Sequence, residues 1–173
     1  MKEVTMAERE YLSETGVVIT FHFDVQVLDV NLPNGVARRY MVDVLGDSLS
    51  GHDVLLHEFS DSVVFLEEHG SCVLKIDLLS GSIVEVGRME RTPLMEEGFD
   101  YCFFHVINGS ILLCWELGVR CYDSNAGLIW EQIFDDMKVH PEITQTRILY
   151  DENQQKTELS LADGSLRVIS TED

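Results

Sequence analysis

The chain has 173 residues, 45% of them apolar and 25% charged, which suits one globular domain with its own core and excludes wholesale disorder. Thirty-one acids against twelve bases leave a net charge of −19, spread evenly: 15 acids and 5 bases over residues 1–86 (−10), 16 acids and 7 bases over residues 87–173 (−9). That surface disfavours nucleic acid and anionic membranes and steers basic partners inward, and no run of about 18 apolar residues is present to span a bilayer.

At the start of the chain, Thr5-Met6-Ala7-Glu8 has the form of a capping box, so residues 1–15 are expected to be a leader or a short N-terminal helix. Glu3, Glu8, Glu10 and Glu14 stand where a signal peptide would need an apolar stretch. The cysteines Cys72, Cys102, Cys114 and Cys121 have no C-x-x-C spacing, and they are read as reduced thiols of a cytoplasmic protein.

From Val17 the chain alternates: Val17, Ile19, Phe21, Phe23, Val25 and Val27 share one parity, with Thr20, His22, Asp24 and Gln26 on the other. This is a strand with one buried and one wet face, and the change of parity at Leu28 and Val30 predicts a bulge or strong bend near Val27. Asn31-Leu32-Pro33-Asn34-Gly35 is a turn, and Val36 to Leu45 returns as the partner strand, giving a first hairpin over 16–45. Three hairpin units follow, over 54–88, 99–134 and 143–170, the last one thinner. The expected fold is a single, mainly β domain over 1–173, an antiparallel meander packed as an open curved sheet or as a small or incomplete propeller-like arrangement.

Two of these units are near copies. Ser62-Val63-Val64-Phe65-Leu66 and Val73–Gly81 are echoed, 46 residues on, by Ser110-Ile111-Leu112-Leu113-Cys114 and Val119–Gly127, with Asp77-x3-Gly81 matching Asp123-x3-Gly127. This pattern, with Trp130 after the second turn, resembles the outer hairpins of propeller blades of the quinoprotein (PQQ-like) and WD40-like families. The resemblance covers residues 54–134, with a weaker copy ending at Ile169. It implies blade-like sheets of four strands. No Gly-His or Trp-Asp signature is present, and no residue matches a cofactor-binding motif, so no cofactor is expected.

Within the second repeat, a turn at Leu117-Gly118 would place Cys114 opposite Cys121 and Trp115 opposite Arg120. Leu112, Cys114, Val119 and Cys121 then share one face, and Ile111, Leu113, Trp115 and Tyr122 the other. Both faces are apolar, so the hairpin is expected at the centre of its sheet, with Trp115 in the core and Arg120 against its ring.

Candidate chemistry is sparse. His22, His52, His57, His69, His105 and His140 lack the short paired spacing of a zinc site. Ser80-Gly81-Ser82 and Gly164-Ser165 are turn chemistry, not a nucleophile elbow. The cysteines sit among acids and apolar residues that favour the protonated thiol. No catalytic or metal-binding residue is therefore assigned, and the protein is expected not to be an enzyme. Between Arg39 and Lys75 there is no base but seven acids, Asp43, Asp47, Asp53, Glu58, Asp61, Glu67 and Glu68. These, with Asp135 and Asp136, are the predicted protein-binding surface. The leading expectation is an acidic binding protein that neutralises a basic partner in the manner of an immunity or inhibitor protein. The alternative is a propeller-like interaction domain or a homo-oligomer formed through an edge strand.

Overall fold

A computed structural model describes residues 8–41, 54–67, 72–89, 101–152 and 155–170. They form four antiparallel sheets of four strands, each a meander in chain order and none closed on itself. Sheet I holds β1 (Glu8–Leu12), β2 (Val18–His22), β3 (Val27–Asn31) and β4 (Ala37–Met41); sheet II holds β5 (Val54–Glu58), β6 (Ser62–Glu67), β7 (Cys72–Asp77) and β8 (Ile83–Arg88). Sheet III holds β9 (Cys102–Ile107), β10 (Ser110–Trp115), β11 (Gly118–Tyr122) and β12 (Leu128–Ile133); sheet IV holds β13 (Glu142–Ile143), β14 (Arg147–Glu152), β15 (Gln155–Ser160) and β16 (Leu166–Ser170). The chain divides into two compact units, Met1–Gly98 and Phe99–Asp173, with two sheets in each. No helix among the described residues is long and apolar enough to cross a membrane.

Several expectations are corrected. Glu8–Leu12 is not helical: it is β1, paired with β2 from Glu8↔His22 to Leu12↔Val18, because a free neighbouring strand edge satisfies its backbone better than one isolated helical turn. The strand from Val17 to Val27 is interrupted, and of the expected bulge or strong bend near Val27 the chain makes the bend. A 3-10 turn at Phe23–Val25, with Gln26 at φ 53°, reverses the chain and makes β2 and β3 partners. Sheet I therefore has four strands where a hairpin was expected. Sheet IV likewise gains β13, a strand of two residues too short to show a pattern.

In each unit the core lies between the two sheets. Ile19, Phe21, Leu28 and Val30 of sheet I meet Val63, Phe65, Leu74 and Ile76 of sheet II, with Phe21 edge-on to Phe65 at 5.1 Å. Leu112, Cys114, Val119 and Cys121 of sheet III meet Ile148, Tyr150 and Leu159 of sheet IV. Each fully buried Val, Leu, Ile or Phe among them contributes about 1.5–3 kcal/mol on leaving water. The middle strands of sheets II and III are buried on their other face too, through Val64, Leu66 and Val73, and through Ile111, Leu113, Trp115 and Tyr122. The remaining faces of sheets I and IV carry charged ladders. Arg39 makes two hydrogen bonds to Asp29 (2.7 and 2.6 Å), His22 bridges Glu8 and Asp29, and Glu158 holds both Arg147 and Arg167 at 2.6 Å.

The predicted faces of β10 and β11 hold, but the turn is Glu116-Leu117. Trp115 thus opposes Gly118, Cys114 opposes Val119, and Arg120 opposes Leu113. Gly118 is required there: a Cβ would lie 2.5 Å from the buried Trp115 ring and 2.7 Å from the Gln132 carbonyl. Arg120 reaches Trp115 diagonally, 5.7 Å from the ring centroid, as it pairs with Glu131.

The link from the third to the fourth strand of each sheet is a five-residue turn closing on glycine: Asn31–Gly35, Asp77–Gly81, Asp123–Gly127 and Ser160–Gly164. The Asp77 carboxylate accepts from the Ser80 amide (2.6 Å), the Ser80 hydroxyl (2.7 Å) and the Leu79 amide (3.2 Å), and Asp123 accepts from the amides of Asn125 and Gly127. Two of these turns seat the neighbouring sheet. In the first unit, Tyr40 and Arg38 of β4 donate to the carbonyls of Gly81 and Ser80, both at 2.6 Å. In the second, Trp130 of β12 donates to the Leu161 carbonyl and lays its ring on Gly164, at φ 72°.

Gly118→Ala should lower stability by about 1–3 kcal/mol through overpacking against Trp115, measured by urea unfolding with tryptophan fluorescence; an unchanged midpoint would contradict the Trp115–Gly118 contact. Hydrogen bonds from Arg39 hold the Asp29 carboxyl below its ordinary range, and those from the Ser80 hydroxyl and amide do the same for Asp77. Their stabilisation is present above the unfolded carboxylate pKa and is lost as pH falls through the depressed folded values, from roughly pH 5 downward. Melting temperature should therefore fall over this range, and less steeply in Asp77→Asn; parallel curves would assign acid loss to other groups.

Candidate functional site

The predicted acidic residues are treated unequally by the fold. Asp43, Asp47, Asp53 and Glu68 lie outside the described residues, and Glu67 ends β6. Glu58, at the end of β5, is a brace. Its carboxylate accepts from the Tyr11 hydroxyl and from the Glu14 amide at 3.0 and 3.1 Å, tying the β1–β2 turn to sheet II. Burial, and then this carboxylate, push the Tyr11 phenol above its ordinary range. Asp61 is exposed in the β5–β6 turn, where its carbonyl accepts from the Leu78 amide at 2.9 Å.

Asp135 and Asp136 form a presented pair. The segment after β12 is fastened at both ends to the β10–β11 turn: the Phe134 amide donates to the Leu117 carbonyl (2.8 Å) and the Lys138 amide to the Glu116 carbonyl (2.7 Å). Phe134 is buried edge-on to Tyr150 at 5.1 Å, and the Lys138 ammonium lies 6.0 Å from the Phe134 ring centroid. What remains outward is Asp135, Asp136 and three exposed apolar side chains, Ile133, Met137 and Val139. Those apolar residues were not anticipated. Their signal is an apolar residue at the end of an outer strand followed by apolar positions within a loop, with no further strand to cover them.

Many basic residues are engaged within their own sheets: Arg39 with Asp29, Arg88 with Glu85, Arg120 with Glu131, Arg147 and Arg167 with Glu158, and Lys156 with Asp151. Excess carboxylate is thus left facing solvent, where it sets the long-range field.

The groups weighed for chemistry are committed elsewhere. The Ser80 hydroxyl donates to Asp77 (2.7 Å), and the Ser165 hydroxyl donates to Asp163 (2.8 Å). The cysteines form no disulfide, with Cys72, Cys114 and Cys121 buried; burial pushes Cys114 up to about 12 and raises Cys121 as well. His57 sits edge-on to Phe59 at 5.0 Å, and burial lowers its pKa. His140 stacks on Phe103 at 4.9 Å. Among the described residues, no three His, Cys, Asp or Glu side chains are grouped to hold a metal ion.

No protein family matches the chain, and no curated protein matches it in sequence. Solved structures do resemble it. The extracellular domain of a proposed hybrid two component system from B. thetaiotaomicron aligns with TM-score 0.52 and 12% identity over 94% of this chain and 23% of that one. BamB from Moraxella catarrhalis aligns with TM-score 0.50 and 11% identity over 94% of this chain and 51% of its own. Virginiamycin B lyase from Staphylococcus aureus aligns with TM-score 0.48 and 16% identity over 98% of this chain, which spans 58% of the lyase. Identity this low speaks to fold alone, and the neighbours are propeller-like β proteins. By its discrete four-stranded sheets and by that likeness, the chain has a propeller-like β fold.

Proposed function

We propose that the chain is a propeller-like protein-interaction module that holds a basic partner on its acidic surface, in the manner of an immunity or inhibitor protein. The observation that carries this reading is the Asp135-Asp136 pair, held outward by two backbone hydrogen bonds and rimmed by Ile133, Met137 and Val139. Carboxylates flanked by apolar contacts suit a partner segment that combines Lys or Arg with apolar side chains, since charge sets the encounter rate and apolar burial the residence time. The engagement of so many bases in internal pairs supports the same reading. Binding rather than catalysis is supported by the serine hydroxyls that donate into turns and by the high pKa of Cys114. Buried cysteines outside any disulfide fit a reducing, cytoplasmic setting.

A second reading rests on the outer strands, where Leu128 and Ile129 of β12 and Leu166 and Val168 of β16 are exposed beside edges that no described strand pairs. Such edges pair with a second copy of the chain, and that association would be nearly independent of salt.

Capture of the partner at low and at high salt, with wild type and with Asp135→Lys/Asp136→Lys, separates the two. The first reading expects retention at low salt, loss at high salt, and affinity lowered by about tenfold or more in the charge-reversed protein with an unchanged melting temperature. Equal retention by both proteins at both salts would remove the acidic pair, and a salt-independent dimer in sedimentation would favour the strand edges.

A further inference from the structure

Within the second unit, sheets III and IV enclose a cleft of about 240 Å3. Its deep end is Leu112 of β10 and Cys121 of β11, both buried, and Ile107 and Leu161 form its half-buried walls. Exposed Gln145, Thr146 and Ala162 stand at the mouth. The rim is fastened without a ligand. Asn108 and Gly109 make a two-residue hairpin turn at φ 50° and 79°, and the Asn108 carboxamide donates to the Gln145 carbonyl at 2.7 Å, from one sheet's turn to the other's. The Leu161 amide donates to the Thr146 carbonyl at 3.0 Å, and the Thr144 amide to the Arg147 carbonyl at 2.9 Å.

The lining is distinctive in its charge. In a chain where 25% of residues are charged and the net charge is −19, no Asp, Glu, Lys or Arg lines this cleft. An anion entering it would meet no base, and a cation would lose water without gaining a carboxylate. Neutral hydrogen-bonding side chains stand at the mouth, and aliphatic groups with a protonated thiol lie beneath. A larger side chain at Cys121 or Ala162 would narrow the space, whereas the neighbouring core is packed with Phe134, Tyr150 and Trp130. A mostly apolar recess with a few convergent polar groups has the composition of a small-molecule site, here of a size for a fragment-sized ligand.

We infer that this cleft binds an uncharged, largely apolar small molecule carrying one amide or hydroxyl end. An apolar cavity of about 150 Å3 accepts benzene, so the size here admits about ten non-hydrogen atoms. The ring or alkyl body lies against Leu112, Ile107 and Leu161, and the polar end meets Gln145 and Thr146 at the rim.

The probe is benzamide, titrated into 15N-labelled full chain and followed by amide shifts, with benzoate as its charged counterpart. Saturable benzamide shifts confined to residues 107–112, 121, 145–146 and 161–162 are expected, with benzoate at least about tenfold weaker. Ala162→Phe, at the exposed mouth, should weaken benzamide by about tenfold or more while the rest of the spectrum stays that of the folded chain. Thr146→Trp tests the same blockade from the opposite rim should Ala162→Phe perturb folding. No saturation with wild type, equal binding of benzoate, or equal benzamide affinity in both filled variants would each overturn the site.

Discussion

Sheets II and III are apolar on both faces, and the rest of the architecture follows from that. A sheet of four short strands with one wet face can rest on a single neighbour. One whose central strands read Val63-Val64-Phe65-Leu66 or Ile111-Leu112-Leu113-Cys114-Trp115 must be covered twice. Within its own unit, sheet I covers one face of sheet II and sheet IV covers one face of sheet III, and each turns a charged ladder outward. The Arg39–Asp29–His22 and Arg147–Glu158–Arg167 ladders are therefore part of the same constraint as the core.

How sheets are aligned is decided at the glycine-closed turns. Area burial alone would let two flat apolar faces slide. Tyr40 and Arg38 on the Asp77–Gly81 turn, and Trp130 on Gly164, convert that sliding contact into a register, because a ring or a guanidinium fits against a backbone only where no Cβ intervenes. The same side chains carry donors that satisfy turn carbonyls, so polar and apolar demands are met at one point.

Much of this was legible in the sequence. The Asp-x3-Gly spacing, the 46-residue echo and the two-sided apolar character of Ile111–Trp115 led to the repeat, the strand boundaries of sheets II and III, and the buried Trp115. What escaped shares one cause. β1, β13 and the 3-10 turn at Phe23–Val25 exist because of where a partner strand lies, and a window of five residues holds no record of that. The turn at Glu116-Leu117 was displaced by one position because Gly118 invites a turn, whereas its function is to admit Trp115. Among the acids, composition could not separate Glu58, which is occupied by Tyr11 and Glu14, from Asp135 and Asp136, which face outward. The uncharged cleft was likewise invisible, since Ile107, Leu112, Cys121, Gln145 and Leu161 are unremarkable until two sheets meet.

The outer-strand contacts carry a kinetic consequence. Within each unit the strand that seats a neighbour precedes, in the chain, the turn on which it rests: β4 before Asp77–Gly81, β12 before Ser160–Gly164. A growing chain can complete sheet I or sheet III as it emerges, yet that sheet presents an uncovered apolar face until the following sheet has been synthesised. Synthesis from the N-terminus thus opens an interval of aggregation risk, whose length depends on the segments joining successive sheets. Slowing translation across residues 42–53 or 135–141 would lengthen the interval without altering the finished fold.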